Sequence, residues 1–382
     1  MPRGQAPGHG YCGGVLEARA DVVGSLLRPP ELLAARERRA RGEISENELT
    51  RVEDAAVDEV LRRQEECGLD VVTDGELRRL SFQSQMTEAV EGFGEWSLDA
   101  FLWGRWRSDE LGDLELERPP LAATGTLRRR RFICAHELAY ARGRTDRILK
   151  VTLPGPTLFA QFWEYERSRS AYPTLAAFLD DVAGILRDEV EELVRLGAAY
   201  VQIDAPHYPL LIDPRYRAVY ESRGWPAERR LEFGLAYDNA LMEGHPSHVT
   251  FGFHLCRGNQ LSRWLVEGGY DWLAERLFPH VRAQRLLLEY DDERSGSFEP
   301  LRHVPEDKTV VLGLVTTKSA RRETVDDLAR RIEEASAHGP LERLALSPQC
   351  GFASSIRGNA IAPDDQWAKL RTVAEAARAV WG

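Results

Sequence analysis

The sequence predicts a single (β/α)8 barrel. Three observations support this fold class: eight short apolar runs, amphipathic helices between them, and a last helix that follows the eighth run. The runs are mostly apolar rather than alternating, which is typical of parallel strands that are covered on both faces. No linker rich in Pro, Gly or Ser divides the chain, so we expect one barrel domain over residues 21–382. Residues 1–20, which are rich in glycine, are expected to form a loose lead-in.

Each predicted strand is a short, mostly apolar run that ends in polar residues. In chain order the strands are DVVGS (21–25), LDVVTDGE (69–76), RILKVTLPG (147–155), AAYVQIDAP (198–206), HVTFGFHLC (248–256), RLLLEYD (285–291), TVVLGLVTT (309–317) and RLALSPQC (343–350).

The segments between the strands have the 3.6-residue periodicity of amphipathic helices. The helix predicted over 174–196 places Phe178 and Val182 on one apolar face, with Thr174 capping its start and Gly197 ending it. Further helices are predicted over 50–67, 226–243, 323–338 and 364–381.

Residues 92–135 depart from the repeating pattern. Their aromatic residues and prolines, together with the stretch TGTLRRRRFICAHE, predict a β-hairpin excursion rather than a helix. We interpret the run of arginines at 128–131 as a solvated part of this excursion rather than as a site for a polyanion.

Composition excludes several classes of function. The 50 basic and 61 acidic residues give a net charge of −11, which offers no broad basic surface for nucleic acid or an anionic membrane. No apolar run approaches the ~20 residues of a membrane span, and the first residues lack the layout of a signal peptide. The five cysteines contain no C-x-x-C pair and are expected to be reduced thiols. We therefore expect a cytoplasmic protein.

Polar side chains with chemical potential follow several of the predicted strands. Because catalytic groups of this fold gather at the carboxyl ends of its strands, these side chains are expected to meet at one mouth of the barrel. The candidates are Ser25, Glu76, Asp204, His254, Cys256, Glu289 and Cys350.

The stretch FGFHLC suggests a metal site. His254 and Cys256 share one face of their strand, because strand side chains repeat every two residues. This pair alone is weak evidence, since a packed histidine and a buried thiol would look the same. Glu289 and Cys350 at matching strand ends make the case stronger, because a lone buried carboxylate needs a cationic partner. A histidine, two thiolates and a carboxylate form a suitable tetrahedral set for Zn2+.

Six motifs, in chain order, resemble those of the catalytic barrel of the cobalamin-independent methionine synthase family. They are VGS (23–25), DGE (74–76), QID (202–204), FHLC (253–256), LLLE (286–289) and LSPQCGF (346–352). The resemblance covers nearly all of residues 21–382. It implies that His254, Cys256, Glu289 and Cys350 bind zinc. It also implies that Ser25, Glu76 and Asp204 hold the amino-acid end of homocysteine, with Asp204 paired to the ammonium group.

Three departures from the family pattern concern the methyl-donor half of the site. The chain has room for one barrel, as in the short branch of the family, whereas full-length members have two. It has QIDAP where members that use folate typically have QIDEP, so that Ala205 replaces an acid. It also has LVTTKS where those members have a motif like DVHSP, so that Thr316 and Thr317 stand where a proton-transfer histidine is expected. His207, just after Asp204, is a candidate for lining the substrate pocket.

The resemblance implies a zinc-dependent methyltransferase that uses homocysteine as the acceptor. The methyl donor would be a methylated tetrahydrofolate or another carrier, such as a corrinoid protein. One alternative is alkyl transfer to a different thiol, as in epoxyalkane–coenzyme M transferases. A decarboxylase like the related uroporphyrinogen decarboxylase barrels is disfavoured, because those barrels lack the zinc set. A structural zinc barrel without turnover is the remaining interpretation.

Overall fold

The predicted barrel is confirmed. The computed structural model describes residues 11–12, 15–94, 103–117, 121–222 and 225–382. Seven parallel strands lie side by side in chain order: β3 (Val71–Val72), β8 (Ile148–Pro154), β9 (Tyr200–Asp204), β10 (Thr250–Leu255), β11 (Arg285–Glu289), β12 (Thr309–Val315) and β13 (Leu344–Pro348). Nearly every residue of these strands is buried, as expected for a parallel sheet covered by helices.

The extended segment 19–21 closes the barrel between its two edge strands. On one side the Asp21 N–H donates to the Leu346 carbonyl (2.8 Å), and the Leu346 N–H donates to the Arg19 carbonyl (2.8 Å). On the other side the Asp70 N–H donates to the Ala20 carbonyl (3.0 Å). The first strand therefore pairs earlier than the predicted 21–25. Beyond it the Gly24 carbonyl accepts from the Thr73 hydroxyl (2.6 Å) rather than from a neighbouring backbone.

All five predicted helices are present. The helices are α1 (Pro30–Ala40), α2 (Glu46–Cys67), α3 (Ser84–Ala89), α4 (Ala135–Ala141), α5 (Tyr165–Ser168), α6 (Leu175–Arg195), α7 (Pro214–Glu221), α8 (Ala227–Met242), α9 (Asp271–Leu277), α10 (Val325–Ser336) and α11 (Pro363–Trp381). Short 3₁₀ helices cover Pro156–Phe162, Pro209–Ile212, Glu293–Ser295, Glu299–His303 and Leu341–Arg343. Thr174 caps α6 as predicted, its hydroxyl accepting from the Ala177 N–H at 3.1 Å. Among the described residues, none of the helices combines the length and apolar character of a membrane span.

The predicted excursion forms two antiparallel pairs. Strand β4 (Val90–Phe93) pairs with β7 (Ala123–Arg129), and β5 (Gly104–Trp106) pairs with β6 (Leu114–Leu116). Arg107, just after β5, exchanges backbone hydrogen bonds of 2.8 and 3.0 Å with Trp264 in the loop after β10. The second hairpin is thereby held over the carboxyl end of the barrel.

The predicted loose lead-in is partly ordered. Strand β1 (Tyr11–Cys12) pairs with β2 (Val15–Leu16), while residues 1–10 and 13–14 lie outside the described part of the chain. Leu16 and Ala18 are buried against Val71 and Tyr200. Residues 15–20 are therefore not a loose lead-in, because Leu16 and Ala18 cover the amino-terminal end of the barrel.

A buried charge cluster also lies at the amino-terminal end of the strands. The Asp21 carboxylate accepts from the Lys150 ammonium at 2.9 Å and from the Tyr200 hydroxyl at 3.1 Å, and it lies 3.4 Å from the Arg285 guanidinium. All four side chains are at most 2% exposed. Asp21 thus joins the closing segment to strands β8, β9 and β11. A charge cluster at this end of a barrel serves stability rather than chemistry, because the reacting groups of this fold lie at the opposite end.

Candidate metal and substrate site

All predicted site residues except Glu289 line one cleft at the carboxyl ends of the strands. The cleft encloses ≈ 770 Å³, including its mouth. Its lining contains the polar side chains of Ser25, Glu76, Gln161, Asp204, His207, His254, Cys256, Asn259, Cys350 and Ser354. Its apolar wall includes Val23, Phe82, Trp106, Leu158, Leu210 and Leu265.

Two thiols and one imidazole form the centre of this cleft. One donor atom from each of His254, Cys256 and Cys350 lies within 4.8 Å of the others, and all three residues are buried. The two sulfur atoms are 3.3 Å apart. The contact between the two thiols raises the pKa of Cys256 and holds the pKa of Cys350 well below the usual value of a thiol. His254 beside Cys350 lowers the pKa of that thiol further.

The chemistry of these donors fits zinc. Neither ring nitrogen of His254 has an oxygen or nitrogen partner within the described residues, although the ring is only 3% exposed. Such a buried orphan nitrogen is costly unless a ligand binds it. One nitrogen and two sulfur donors bind Zn2+ in preference to harder divalent ions. His254, Cys256 and Cys350 are therefore suitable ligands for a zinc ion.

Glu289 lies beside the three donors rather than among them. Its Oε1 atom is 3.7 Å from Cys256 Sγ, and its Oε2 atom accepts from the Arg257 N–H at 2.8 Å. The Lys318 ammonium is 3.6 Å from Oε1. Burial raises the pKa of Glu289, while Lys318 acts in the opposite direction. The role of Glu289 as a fourth metal ligand remains a prediction.

Glu76 is held in an unusual backbone conformation at the cleft. Its φ of 55° lies in the left-handed region, which non-glycine residues seldom adopt. Its Oε1 atom accepts from the Thr152 hydroxyl at 2.6 Å and lies 3.7 Å from the Arg79 guanidinium. Oε2 has no hydrogen-bond partner among the residues that the structure describes. The carboxylate is thus fixed on one side by the protein. Its other oxygen is left for a ligand.

Gly24 makes room for this carboxylate, which leads to a first prediction. A Cβ atom at Gly24 would lie 2.6 Å from Glu76 Oε1 and 3.0 Å from Thr152 Cγ2. We expect Gly24→Ala to displace Glu76 and to lower kcat/KM for the acceptor by roughly 10–150-fold, since a charge-assisted hydrogen bond contributes ~1.5–3 kcal/mol. Steady-state kinetics with bound zinc measured in parallel would check this, and metal content is expected to stay unchanged.

The matched control for that variant is Gly184→Ala. Gly184 lies within α6, and a Cβ atom there would meet nothing within 4 Å. The control should keep full activity and gain up to about 1 kcal/mol of stability, because alanine is the better helix former. Equal kinetics for wild type and Gly24→Ala would show that the position of Glu76 does not matter for the acceptor.

Asp204 and His207 occupy the wall next to β9. Burial raises the pKa of Asp204 to about 7, and its Oδ1 atom accepts from the Gln202 amide at 2.7 Å. The His207 Nε2 atom is 2.7 Å from the Thr157 hydroxyl, and its Nδ1 atom has no partner. Burial lowers the pKa of His207 well below its usual value, so the ring is neutral. Asp204, His207 and Ser25 all line the cleft that contains the two thiols.

Arg257 and Asn259 belong to the framework around the site. The Arg257 guanidinium donates to the Gly268 and Glu289 carbonyls at 3.0 and 2.9 Å. The Asn259 amide donates to the Gly351 carbonyl at 2.6 Å. These bonds tie the loop after β10 to its neighbours, so the side chains are already occupied.

Sequence reasoning missed two residues of the site. Lys318 lies three residues after the end of β12 and contacts Glu289. It is one of only four lysines in an arginine-rich chain, which is a signal that could have been used. Trp106 comes from the second hairpin of the excursion and covers the cleft at 2% exposure. No spacing in the sequence relates Trp106 to the strand ends.

Comparisons with known proteins found relatives that extend over most of this chain. A model of the family described as cobalamin-independent synthase, catalytic domain, matches residues 19–241 and 275–378. The uncharacterized protein YxjG of Bacillus subtilis is 35% identical over 367 residues, which are 95% of this chain and 94% of that protein. The methionine synthase of Pyrococcus abyssi is 26% identical over 87% of this chain and 85% of that protein. A solved structure from Listeria monocytogenes, described as a candidate vitamin-B12-independent methionine synthase, has a TM-score of 0.73 at 26% identity, covering 95% of this chain and 98% of that one.

Proposed function

The chain belongs to the cobalamin-independent methionine synthase family, through its catalytic domain, and from this premise we propose that it transfers a methyl group to the thiol of homocysteine at a zinc site. It is a methyltransferase like its named relatives. The observation that carries the proposal is the meeting of His254, Cys256 and Cys350 in a cleft that also holds two carboxylates. One half of the cleft suits a thiol-activating metal, and the other suits an amino acid.

The metal half consists of soft donors with one hard neighbour. His254, Cys256 and Cys350 would hold the ion, with Glu289 as the fourth ligand. Zinc bound there would lower the pKa of an acceptor thiol from its usual ~8.5 and favour the thiolate nucleophile. Glu289 is the hardest and least thiophilic of the four donors, so it is the ligand expected to give up its place to the acceptor sulfur.

The substrate half orients the acceptor. The Asp204 carboxylate would pair with the ammonium group of homocysteine, and Glu76 and Ser25 would bind the same amino-acid end. His207 would line the wall beside it. Since these groups are fixed by Gln202, Thr152 and the barrel strands, they would hold the sulfur in one position relative to the donor.

The part of the cleft that would receive the methyl donor differs from the pattern of members that use folate. Ala205 is buried where that pattern has an acid, and Thr316 and Thr317 replace its histidine. The apolar wall with Trp106 lies in the same cleft. A methylated tetrahydrofolate or another methyl carrier, including a carrier protein, would have to present its methyl group through this altered part of the cleft.

Asp204→Asn is expected to separate acceptor binding from metal binding. The substitution removes the negative charge that we assign to the ammonium group, and it keeps the side-chain size. We expect KM for homocysteine to rise roughly 10–150-fold, because a hydrogen bond to a charged group contributes ~1.5–3 kcal/mol. Zinc content measured on the same preparation should equal that of wild type. A rise in KM accompanied by zinc loss would instead indicate a collapsed site.

The proposed function is tested by metal analysis and proton release. Purified protein should retain about one equivalent of zinc, and addition of homocysteine should release about one proton as the thiol binds as thiolate. Coenzyme M is the matched comparison, because it carries a thiol without an amino-acid end. Release with homocysteine alone supports the methionine synthase activity, whereas release with coenzyme M alone supports alkyl transfer to another thiol. No release with either thiol would contradict both.

A further inference from the structure

The ammonium of Lys318 lies beside Glu289, and the proposed function does not use it. Its Nζ atom lies 3.6 Å from Glu289 Oε1 and 3.9 Å from Asp291 Oδ2, and the side chain is 8% exposed. Asp291 Oδ2 has no hydrogen-bond partner. A lysine enclosed between two buried carboxylates is held there by charge, because burial alone disfavours its charged form.

The other cation near Glu289 is committed elsewhere. The Arg257 guanidinium donates to the carbonyls of Gly268, Glu289 and Ser295, and its closest approach to the Glu289 carboxylate is 4.0 Å. Only its backbone N–H binds Oε2, at 2.8 Å. Lys318 is therefore the side-chain cation that neutralises the Oε1 side of Glu289, which is the side that faces Cys256.

We propose that Lys318 is a positioning residue that weakens the hold of Glu289 on the metal, so that this carboxylate gives up its coordination position when the acceptor thiol binds. This inference rests on the proposed function. Four protein ligands would close a zinc site, whereas three leave one position for a substrate. By pairing with Glu289, Lys318 competes with the metal for the one hard ligand.

The positive charge of Lys318 should act in opposite directions on the affinity for zinc and on the affinity for the acceptor thiolate. A positive charge next to a divalent cation weakens the binding of that cation, and it strengthens the binding of an additional thiolate. Removal of Lys318 should therefore affect the two ligands in opposite directions. A residue that merely maintains the local fold would weaken both when it is replaced.

The test is the variant Lys318→Met, with two binding measurements. Zinc affinity, measured by competition with a chromophoric chelator, should increase at least about tenfold, since the repulsion is lost and Glu289 becomes free to coordinate. Homocysteine affinity of the zinc-loaded protein should decrease by a similar factor. The absorption spectrum of the Co2+-substituted variant should lose its response to homocysteine, because the position is filled.

Three further variants keep the result interpretable. Lys318→Arg retains the charge and should restore both affinities toward wild type, and Lys318→Gln serves if the methionine variant does not fold. Lys308→Met is the matched control: this lysine is 6% exposed and donates to the Ala283 carbonyl at 3.0 Å, outside the cleft. It should leave both affinities unchanged.

The outcomes distinguish this inference from the proposed function. If wild type itself binds no zinc, the proposed function is wrong. If wild type binds zinc but Lys318→Met binds it equally or more weakly, the role of Lys318 is wrong and the zinc site stands. Tighter zinc binding with unchanged homocysteine affinity would also overturn the proposal, because Glu289 would then not compete with the thiol.

Discussion

Cys350→Ala should abolish metal binding and activity together. The substitution removes one of two sulfur donors that lie 3.3 Å apart, and it leaves His254 and Cys256 as an incomplete pair. Changes in groups that only support metal ligands cost 10–100-fold in affinity or activity, so loss of a ligand is expected to exceed about 100-fold. Metal analysis after dialysis and turnover with homocysteine would measure both effects.

A second buried cysteine provides the control for that experiment. Cys67 is 5% exposed, and its thiol faces the Trp367 carbonyl at 3.6 Å, away from the cleft. Cys67→Ala should keep zinc and activity, with only a loss of packing. Retention of zinc by Cys350→Ala would show that the three clustered side chains are not the metal site, and the assignment of the transferase activity would lose its main support.

The largest loss of stability is expected for Asp21→Ala. This carboxylate is the common partner of Lys150, Tyr200 and Arg285 inside the barrel. Removing one partner of a buried ion pair leaves uncompensated charge and typically costs 3–5 kcal/mol. We expect the free energy of unfolding to fall by about that amount, as measured by urea denaturation. Asp21→Asn should lose less, because it keeps the shape and part of the hydrogen bonding.

An exposed aspartate gives the matched comparison. Asp146 lies on the surface in the loop before β8, and Asp146→Ala should change the free energy of unfolding by less than about 0.5 kcal/mol. A similarly small change for Asp21→Ala would mean that Lys150 and Arg285 find water or other partners when the carboxylate is removed. The buried cluster would then contribute little to closing the barrel.

Much of the fold could be predicted because its signals are periodic. The apolar runs and the amphipathic helices such as α6 alternate along the whole chain, and each unit packs against its sequence neighbours. The first strand was placed too late because pairing at residues 19–21 is decided by the two edge strands β3 and β13. Those partners are distant in sequence, and DVVGS carries no sign of them.

The site was predictable where it depends on strand geometry and less so where it depends on loops. His254 and Cys256 follow from alternation along one strand, and Cys350 follows from its place after the last strand. Lys318 was missed because a lysine after a strand is usually solvated, and only the three-dimensional contact with Glu289 shows otherwise. Trp106 was missed because it comes from the excursion, whose docking depends on the loop around Trp264.

Residue 76 has to meet two opposing requirements, a left-handed backbone conformation and a carboxylate in the cleft. A glycine there would relieve conformational strain of about 1 kcal/mol, but it would remove the carboxylate from the cleft. Leu261 and Ser262, the other non-glycine residues with positive φ in the described chain, lie in the loop that follows β10. A substitution that makes this enzyme more heat-resistant is therefore easiest to find at 261, because the Ser262 hydroxyl also accepts from the Ala360 N–H at 2.8 Å. Thermal robustness gained at 76 would come at the expense of turnover.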